Sequence, residues 1–533
     1  MDPSPPPTAQ ELFDRGVAHA DAGEHDQGID CLNRALALEP ERAEAYLHRG
    51  RCWDRKSEHD RAIADFGAYV EREPGKAIGY HFRGVSYGKK EQYDLAMADY
   101  ERTLAIEPDN SGCLNNRGSV FHLRGEYDRA LADLDAALRA KPDFAMAYFN
   151  RASVYSGMKQ YGRALADFNR AVELDDDFIE GLLSRGVCLQ RLERMDEALA
   201  DFNKAVSLDP EHYAAHMQRA GLYAAVDRDD EALADLDRAV ALRPRKGEPY
   251  YHRGMLHARR HEWHRAESDL SLAVRYDPFR AEAIMLRAMV FAQLNDYPRA
   301  LGDLNSRVRM NPPDPEAWHM RGILRAEKKS YDQAISDFTE ALKLKPDHVR
   351  ALNSRATAYA EEKEYDKALA DLKRAMEIDP SLDESWYNRG KVYQDRGSYR
   401  AAVADYEKAI GLAPEVSRYR NQLAWLLATC HVDAFRNGPR AVEQATRACE
   451  LEGWKDGNVI DTLAAALAES GRFPEAAERG RQAVGLAPAE LREQIREHLR
   501  LFESGKPVRS APPVQPPPKP GAGGKDRKGR RRR

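Results

Sequence analysis

The sequence has no apolar run approaching the ~18 residues that span a bilayer as a helix, and 32% of its residues are charged. Membrane insertion is therefore not expected. Cysteine is scarce, with six in 533 residues: Cys31, Cys52, Cys113, Cys188, Cys430 and Cys449. None forms a Cys-x-x-Cys pair, which argues against a disulfide framework or a zinc knuckle and for isolated reduced thiols in the core. The segment Met1 to Pro7 (MDPSPPP) offers neither a basic nor an apolar signal region, so a cytoplasmic location is expected. No G-x-x-x-x-G-K-[ST] loop or G-x-S-x-G elbow occurs. We therefore expect no enzyme, no catalytic residues, no cofactor and no metal.

The net charge of -5 is unevenly distributed. From Ser504 onward there are ten cationic side chains against Asp526 alone. An acidic body thus carries a basic tail.

What the chain has in abundance is repetition. Arg-Gly or Arg-Ala recurs every 34 residues from Arg15-Gly16 through Arg49-Gly50 and Arg83-Gly84 to Arg389-Gly390. With Ala9 as position 1, twelve repeats occupy residues 9–416 without insertion or deletion. Position 20 is small (Gly28, then Ala62 through Ala402), and position 24 is large and apolar (Leu32, Phe66, Tyr100 through Tyr406). Position 32 is proline in eleven repeats, with Asp176 the exception. Within a repeat the apolar residues follow the helical period, and two helices of roughly 14 residues with a short turn fill the unit. Small residues at positions 8 and 20 let two helix backbones approach, and large ones at 4, 11 and 24 fill the space around them. A single hairpin cannot cover its apolar face, and stacking copies does so.

These columns resemble the tetratricopeptide repeat family, in particular its large bacterial multi-repeat members. The expected fold is all-α: a right-handed superhelical α-solenoid of about fourteen antiparallel helix hairpins. Thr8 and Glu11 fit a capping box opening the first helix. The expected organisation is a disordered segment over 1–8, twelve repeats over 9–416, a degenerate repeat with a lengthened loop over 417–456, a further repeat over 457–490 and a capping helix over 491–503. A disordered Pro/Gly-rich basic tail over 504–533 completes it, because its composition buries too little apolar area to offset ordering.

Arginine stands at position 7 of all twelve repeats and aspartate at position 23 of eleven, Cys31 replacing it in the first. The two columns are equidistant from a turn near position 15 and so face each other in a hairpin. They read first as a ladder of ion pairs, within or between repeats, and second as an arginine file for anionic ligands.

The resemblance implies an inner groove lined by positions 2, 5, 6, 9, 12 and 13 of the first helices, where extended peptides bind. The Lys/Asn carboxylate clamp of cochaperone members is absent, since position 5 is never lysine. Position 6 of repeats four to eight carries Asn116, Asn150, Ser184, Gln218 and His252, a column similar to the asparagine ladder of O-linked N-acetylglucosamine transferases. Repeats seven to ten place Met217, Tyr251, Met255, Met285, Met289, Met320 and Ile323 on inner positions. Flexible methionines suit varied apolar side chains of a helix or strand. Together these residues form the candidate peptide-binding set for a protein partner whose identity the sequence does not name. Glu44, Glu180, Glu248, Glu282, Glu316 and Glu384 at position 2 lie in the first helical turn, where the helix dipole favours them.

Two other features carry weaker signals. His252, His257, His261 and His264 cluster in repeat eight, but position 15 falls at the turn, which speaks against a shared metal. Lys525, Arg527, Lys528, Arg530, Arg531, Arg532 and Arg533 could neutralise phosphates and give salt-dependent nucleic-acid affinity. The primary functional expectation is a non-enzymatic scaffold binding an extended peptide or helix in the groove. The alternative is a nucleic-acid-associated factor tethered by this tail.

Overall fold

The computed structural model describes residues 6–513. Among them are 29 α-helices, one 3-10 helix and no strand, an all-α helical-repeat solenoid. Each 34-residue unit is one hairpin, as in Pro315–Glu327 followed by Tyr331–Leu344. Thr8 opens the first helix with the expected capping box, its hydroxyl accepting the Glu11 amide while the Glu11 carboxylate accepts the Thr8 amide.

The turn inside each hairpin centres on position 15, which is left-handed. Gly23, Gly125 and Gly397 have φ of 79°, 74° and 81°, but Ser57, Lys159, Lys329 and others adopt φ near 60° at the same place. A side chain there costs backbone strain that glycine avoids. The hairpin tolerates it because packing of the two flanking helices dictates the turn.

The second helices end without help from the proline column. Tyr161–Leu174 stops at the same register as its neighbours although Asp176 stands where they have proline. The Asp175 amide still donates to Ala171 O at the cap. Only the ninth repeat differs, its second helix Tyr297–Arg307 being 11 residues long. There Arg307 turns to the following loop, donating to Pro312 O at 3.2 Å and pairing with Asp314 at 3.1 Å.

Packing explains positions 8 and 24. A Cβ added to Gly322 would lie 2.5 Å from Phe338 Cε1, and one added to Gly390 would lie 2.6 Å from Tyr406 Cε1. The large ring of the second helix thus rests directly on first-helix backbone. Ala334, Ala368 and Ala402 at position 20 are fully buried against the same contact.

The chain divides into two compact units, Met1–Leu256 and His257–Arg533. In the first, Tyr100, Cys113, Phe121, Leu134 and Val154 form one of several clusters, each joining a hairpin to the next. All six cysteines are buried free thiols. In the second unit the stack ends with Ser417–Thr429 and Gly438–Leu451, separated by a loop holding the 3-10 turn Asp433–Phe435. Gly457–Glu469, Phe473–Leu486 and the terminal helix Ala489–Glu503 follow.

Beyond Glu503 the chain stays packed as far as it is described, which corrects the expectation for residues 504–513. Val508 is buried in the terminal core. The Ser510 amide donates to Thr429 O at 2.8 Å, the Ser510 and Thr429 hydroxyls are 2.6 Å apart, and Arg509 pairs with Glu469 at 2.7 Å. Composition averaged over thirty residues hides a short strap that needs only one buried valine and a few polar bonds to be held.

Candidate partner-binding surface

The arginine and aspartate columns are internal clamps. The pairs form within single repeats, from Arg49 with Asp65 and Arg83 with Asp99 to Arg389 with Asp405. In each, Nε and Nη2 donate to the two carboxylate oxygens, the bidentate arrangement that suits a guanidinium. Arg151 shows the full pattern, with Nε and Nη2 each 2.7 Å from Asp167 and Nη1 2.6 Å from Asp135 of the preceding repeat. Its hydrogen bond with Asp167 holds the guanidinium charged well above the usual range. Arg49, Arg185, Arg219 and Arg321 extend Nη1 in the same way to Asn33, Asn169, Asn203 and Asn305. The guanidinium therefore links positions 23 and 25 of adjacent repeats, and these donors are already taken. The ladder reading holds, within repeats for the aspartate and between repeats for the third bond; an arginine file for anions has no support.

The position-6 column is likewise partly engaged. Asn150 Nδ2 donates to Asn115 Oδ1 at 2.8 Å, and Asn115 Nδ2 donates to Asn116 Oδ1 at 3.2 Å. In the second unit His319 lies 3.1 Å from Ser354 Oγ, and Asn388 Nδ2 approaches Asn353 Oδ1 at 3.5 Å. Position 5 of one repeat is thus a rung to position 6 of the next. The sequence gives no hint of these rungs, because they join residues 35 apart in different hairpins. Ser184 is half-buried and Gln218 is exposed. His252 is half-buried, its ring 5.1 Å from that of Tyr251.

The apolar candidates separate into two groups. Met217 packs against the Leu236 and Leu256 cluster, and Met285 and Met320 pack against that of Phe291 and Leu304. Tyr251 is half-buried. Met255 in the first unit, and Met289 and Ile323 in the second, are exposed, at 36%, 47% and 37%. All three stand at position 9. In the second unit, Met285 at position 5 and Met320 at position 6 are anchored in the core, while position 9 presents methionine and isoleucine to solvent.

His257 of the repeat-eight cluster pairs with Glu262 at 2.7 Å, while His261 sits in the left-handed turn. They do not share a site. A different group, Glu316, His319 and His348, brings three ligand atoms within 4.8 Å of one another. The cationic candidates Lys525, Arg527, Lys528 and Arg530 to Arg533 lie outside the described residues.

The fold and its repeated hairpins define a helical-repeat protein. Tetratricopeptide repeat models match residues 13–77, 77–110, 145–178, 179–212, 251–315, 315–348 and 384–416, and a TPR repeat model matches 118–159 and 356–397. The chain belongs to the tetratricopeptide repeat family and is a protein-interaction scaffold. No curated protein matches it. Among solved structures it is similar to Cut9 with Hcn1 from an APC/C hetero-tetramer, at 13% identity over 86% of this chain and 96% of that one, TM-score 0.43. Yeast Tom70 is 16% identical over 80% and 96%, TM-score 0.39. YrrB, described as a TPR protein with an unusual peptide-binding site, is 26% identical over 34% and 92%, TM-score 0.29. No helix among the described residues is long and apolar enough to cross a membrane.

Proposed function

We propose that this scaffold binds an extended or helical segment of a partner protein along the first-helix face, without catalysis of its own. The observation that carries the reading is the pair Met289 and Ile323, which stand at the same position of successive repeats and remain exposed, while Met285 and Met320 beside them are anchored in the core. Positions 8, 10, 20, 24 and 27 are buried repeat after repeat, whereas position 9 leaves Met289 and Ile323 exposed. Removing such groups from water against a partner's side chains is worth about 25 cal/mol per Å², and methionine adapts to more than one side-chain shape. The rungs between positions 5 and 6 support the reading from the other side, because they fix the spacing at which successive first helices present their side chains.

The test is affinity capture from a lysate of the source organism with the wild-type chain and with a Met289→Glu/Ile323→Glu variant. Retention of the same partners by a variant whose melting temperature is unchanged overturns the assignment of this face.

A further inference from the structure

Three Lewis bases converge at the start of the tenth repeat. Glu316 and His319 occupy positions 2 and 5 of the helix Pro315–Glu327, and His348 is the N-cap of the helix Val349–Glu361. Glu316 Oε2 is 2.9 Å from His348 Nε2, and Glu316 Oε1 is 3.6 Å from His319 Nδ1. The two imidazole centroids are 5.0 Å apart. Both rings are nearly removed from solvent, at 4% and 8% exposure, while Glu316 stays open to it.

We propose that Glu316, His319 and His348 form a binding site for a single divalent transition-metal ion of the zinc class. This site is independent of the partner-binding reading above.

Two imidazoles and a carboxylate are the donor set that borderline ions prefer. An ion about 2.0 to 2.1 Å from each donor sets neighbouring tetrahedral ligand atoms roughly 3.3 Å apart. The 2.9 and 3.6 Å separations, one to each Glu316 oxygen, bracket that spacing, and with all three ligand atoms within 4.8 Å of one another the site closes by an inward rotation of the side chains. The surroundings also prepare the ligands. His319 Nε2 is 3.1 Å from Ser354 Oγ, and a proton donated there leaves the Nδ1 lone pair facing Glu316. This is the arrangement in which a second hydrogen bond fixes the tautomer of a ligating histidine. Phe338 is the apolar neighbour of His319, with ring centroids 5.7 Å apart. At His348 the ion would replace the hydrogen bond to Glu316. Its Nδ1 accepts the Ala351 amide at 3.4 Å while Nε2 donates to Glu316. Binding through Nε2 moves that proton to Nδ1 and gives up a long cap bond. With three protein ligands and an exposed carboxylate, a fourth position faces solvent, so the site is open rather than fully enclosed by protein.

The test uses the untagged full-length chain, titrated calorimetrically with Zn²⁺ and followed by the absorption of Co²⁺. The expected result is saturation at one equivalent and a rise in melting temperature reversed by chelator. Three substitutions are chosen to keep the fold. His348→Asn retains a good N-cap, His319→Asn copies the rung that Asn353 offers to Asn388, and Glu316→Gln alters only the half-exposed carboxylate. Each is expected to weaken binding at least about tenfold while the metal-free melting temperature stays near that of the wild type. No saturable binding by the wild type, or undiminished binding by Glu316→Gln, overturns the proposal. Glu316→Gln decides the matter alone if a histidine variant fails to fold.

Discussion

Arg83 clasps Asp99 through two hydrogen bonds of 2.8 Å, Nε to Oδ2 and Nη2 to Oδ1, across the two helices of one hairpin. Asp99 is 5% exposed, and among the described residues Arg83 is the one cation paired with it. Arg83→Ala therefore strands a buried carboxylate. The expected loss is about 2 to 3 kcal/mol, toward the lower end for buried pairs because the guanidinium keeps some exposure. The exposed Arg139→Ala is expected to change stability by less than about 0.5 kcal/mol. Denaturant unfolding of the two variants makes the comparison, and equal losses would contradict the clamp.

Gly322→Ala places a methyl group 2.5 Å from the Phe338 ring. The ring cannot withdraw, because it is itself buried between hairpins. We expect a loss of about 1 to 3 kcal/mol from overpacking, read as a lower midpoint of thermal unfolding. Combining it with Phe338→Leu should recover part of that loss, as neighbouring repeats pair Ala288 with Leu304 and Ala356 with Leu372.

The strap predicts different outcomes for two truncations. Ending the chain after Pro513 leaves Val508, Arg509 and Ser510 in place, and the melting temperature should hold. Ending it after Glu503 uncovers the surface under Val508 and removes the Arg509 partner of Glu469. That form should melt earlier and expose the carboxyl-terminal hairpins to protease. Identical behaviour of the two would mean the strap contributes nothing.

Asp461 is 2% exposed, with one oxygen 2.7 Å from His498 Nδ1 and the other, Oδ1, lacking a hydrogen-bond partner. Burial raises its pKa, against the smaller opposing effect of His498. A carboxyl raised in the folded state favours folding while protonated, below its unfolded pKa, and that contribution is lost as pH rises through the folded value. Asp461→Asn keeps a hydrogen-bond acceptor for His498 and removes the ionisation. Its stability relative to wild type should improve as pH increases from 4 to 7, measured by denaturant midpoints across that range. A difference independent of pH would exclude a raised Asp461.

The repeat register, the capping box at Thr8 and the buried small and large columns were legible because each recurs twelve times or follows a local rule. The clamp between Arg and Asp was legible too, since a hairpin brings positions 7 and 23 together. What escaped lies between repeats or outside them. The third bond of Arg151 reaches Asp135 in the previous hairpin, and the rung from Asn150 reaches Asn115. Glu316 and His348, positions 2 and 34 of one repeat, meet across 32 residues where the next hairpin begins. Periodicity assigns residues to a face, but which neighbour a given side chain touches depends on how one hairpin is rotated against the next. Among the groove candidates, the column was visible in sequence, while the distinction between anchored Met285 and exposed Met289 required the packed helices.

The bond from Arg151 to Asp135 makes the repeat a unit of exchange. Excising residues 145–178, one full period, would bring Asp135 opposite Arg185, which carries its own partner Asp201. The arginine junction would close again on a carboxylate, while Asn115 would meet Ser184 in place of Asn150. Removing 33 residues or 35 would turn Arg185 about a third of a helical turn away from Asp135 at that one junction. Such an array can lengthen or shorten by whole units without redesign, so its reach along a partner is a quantity that duplication can change in discrete steps.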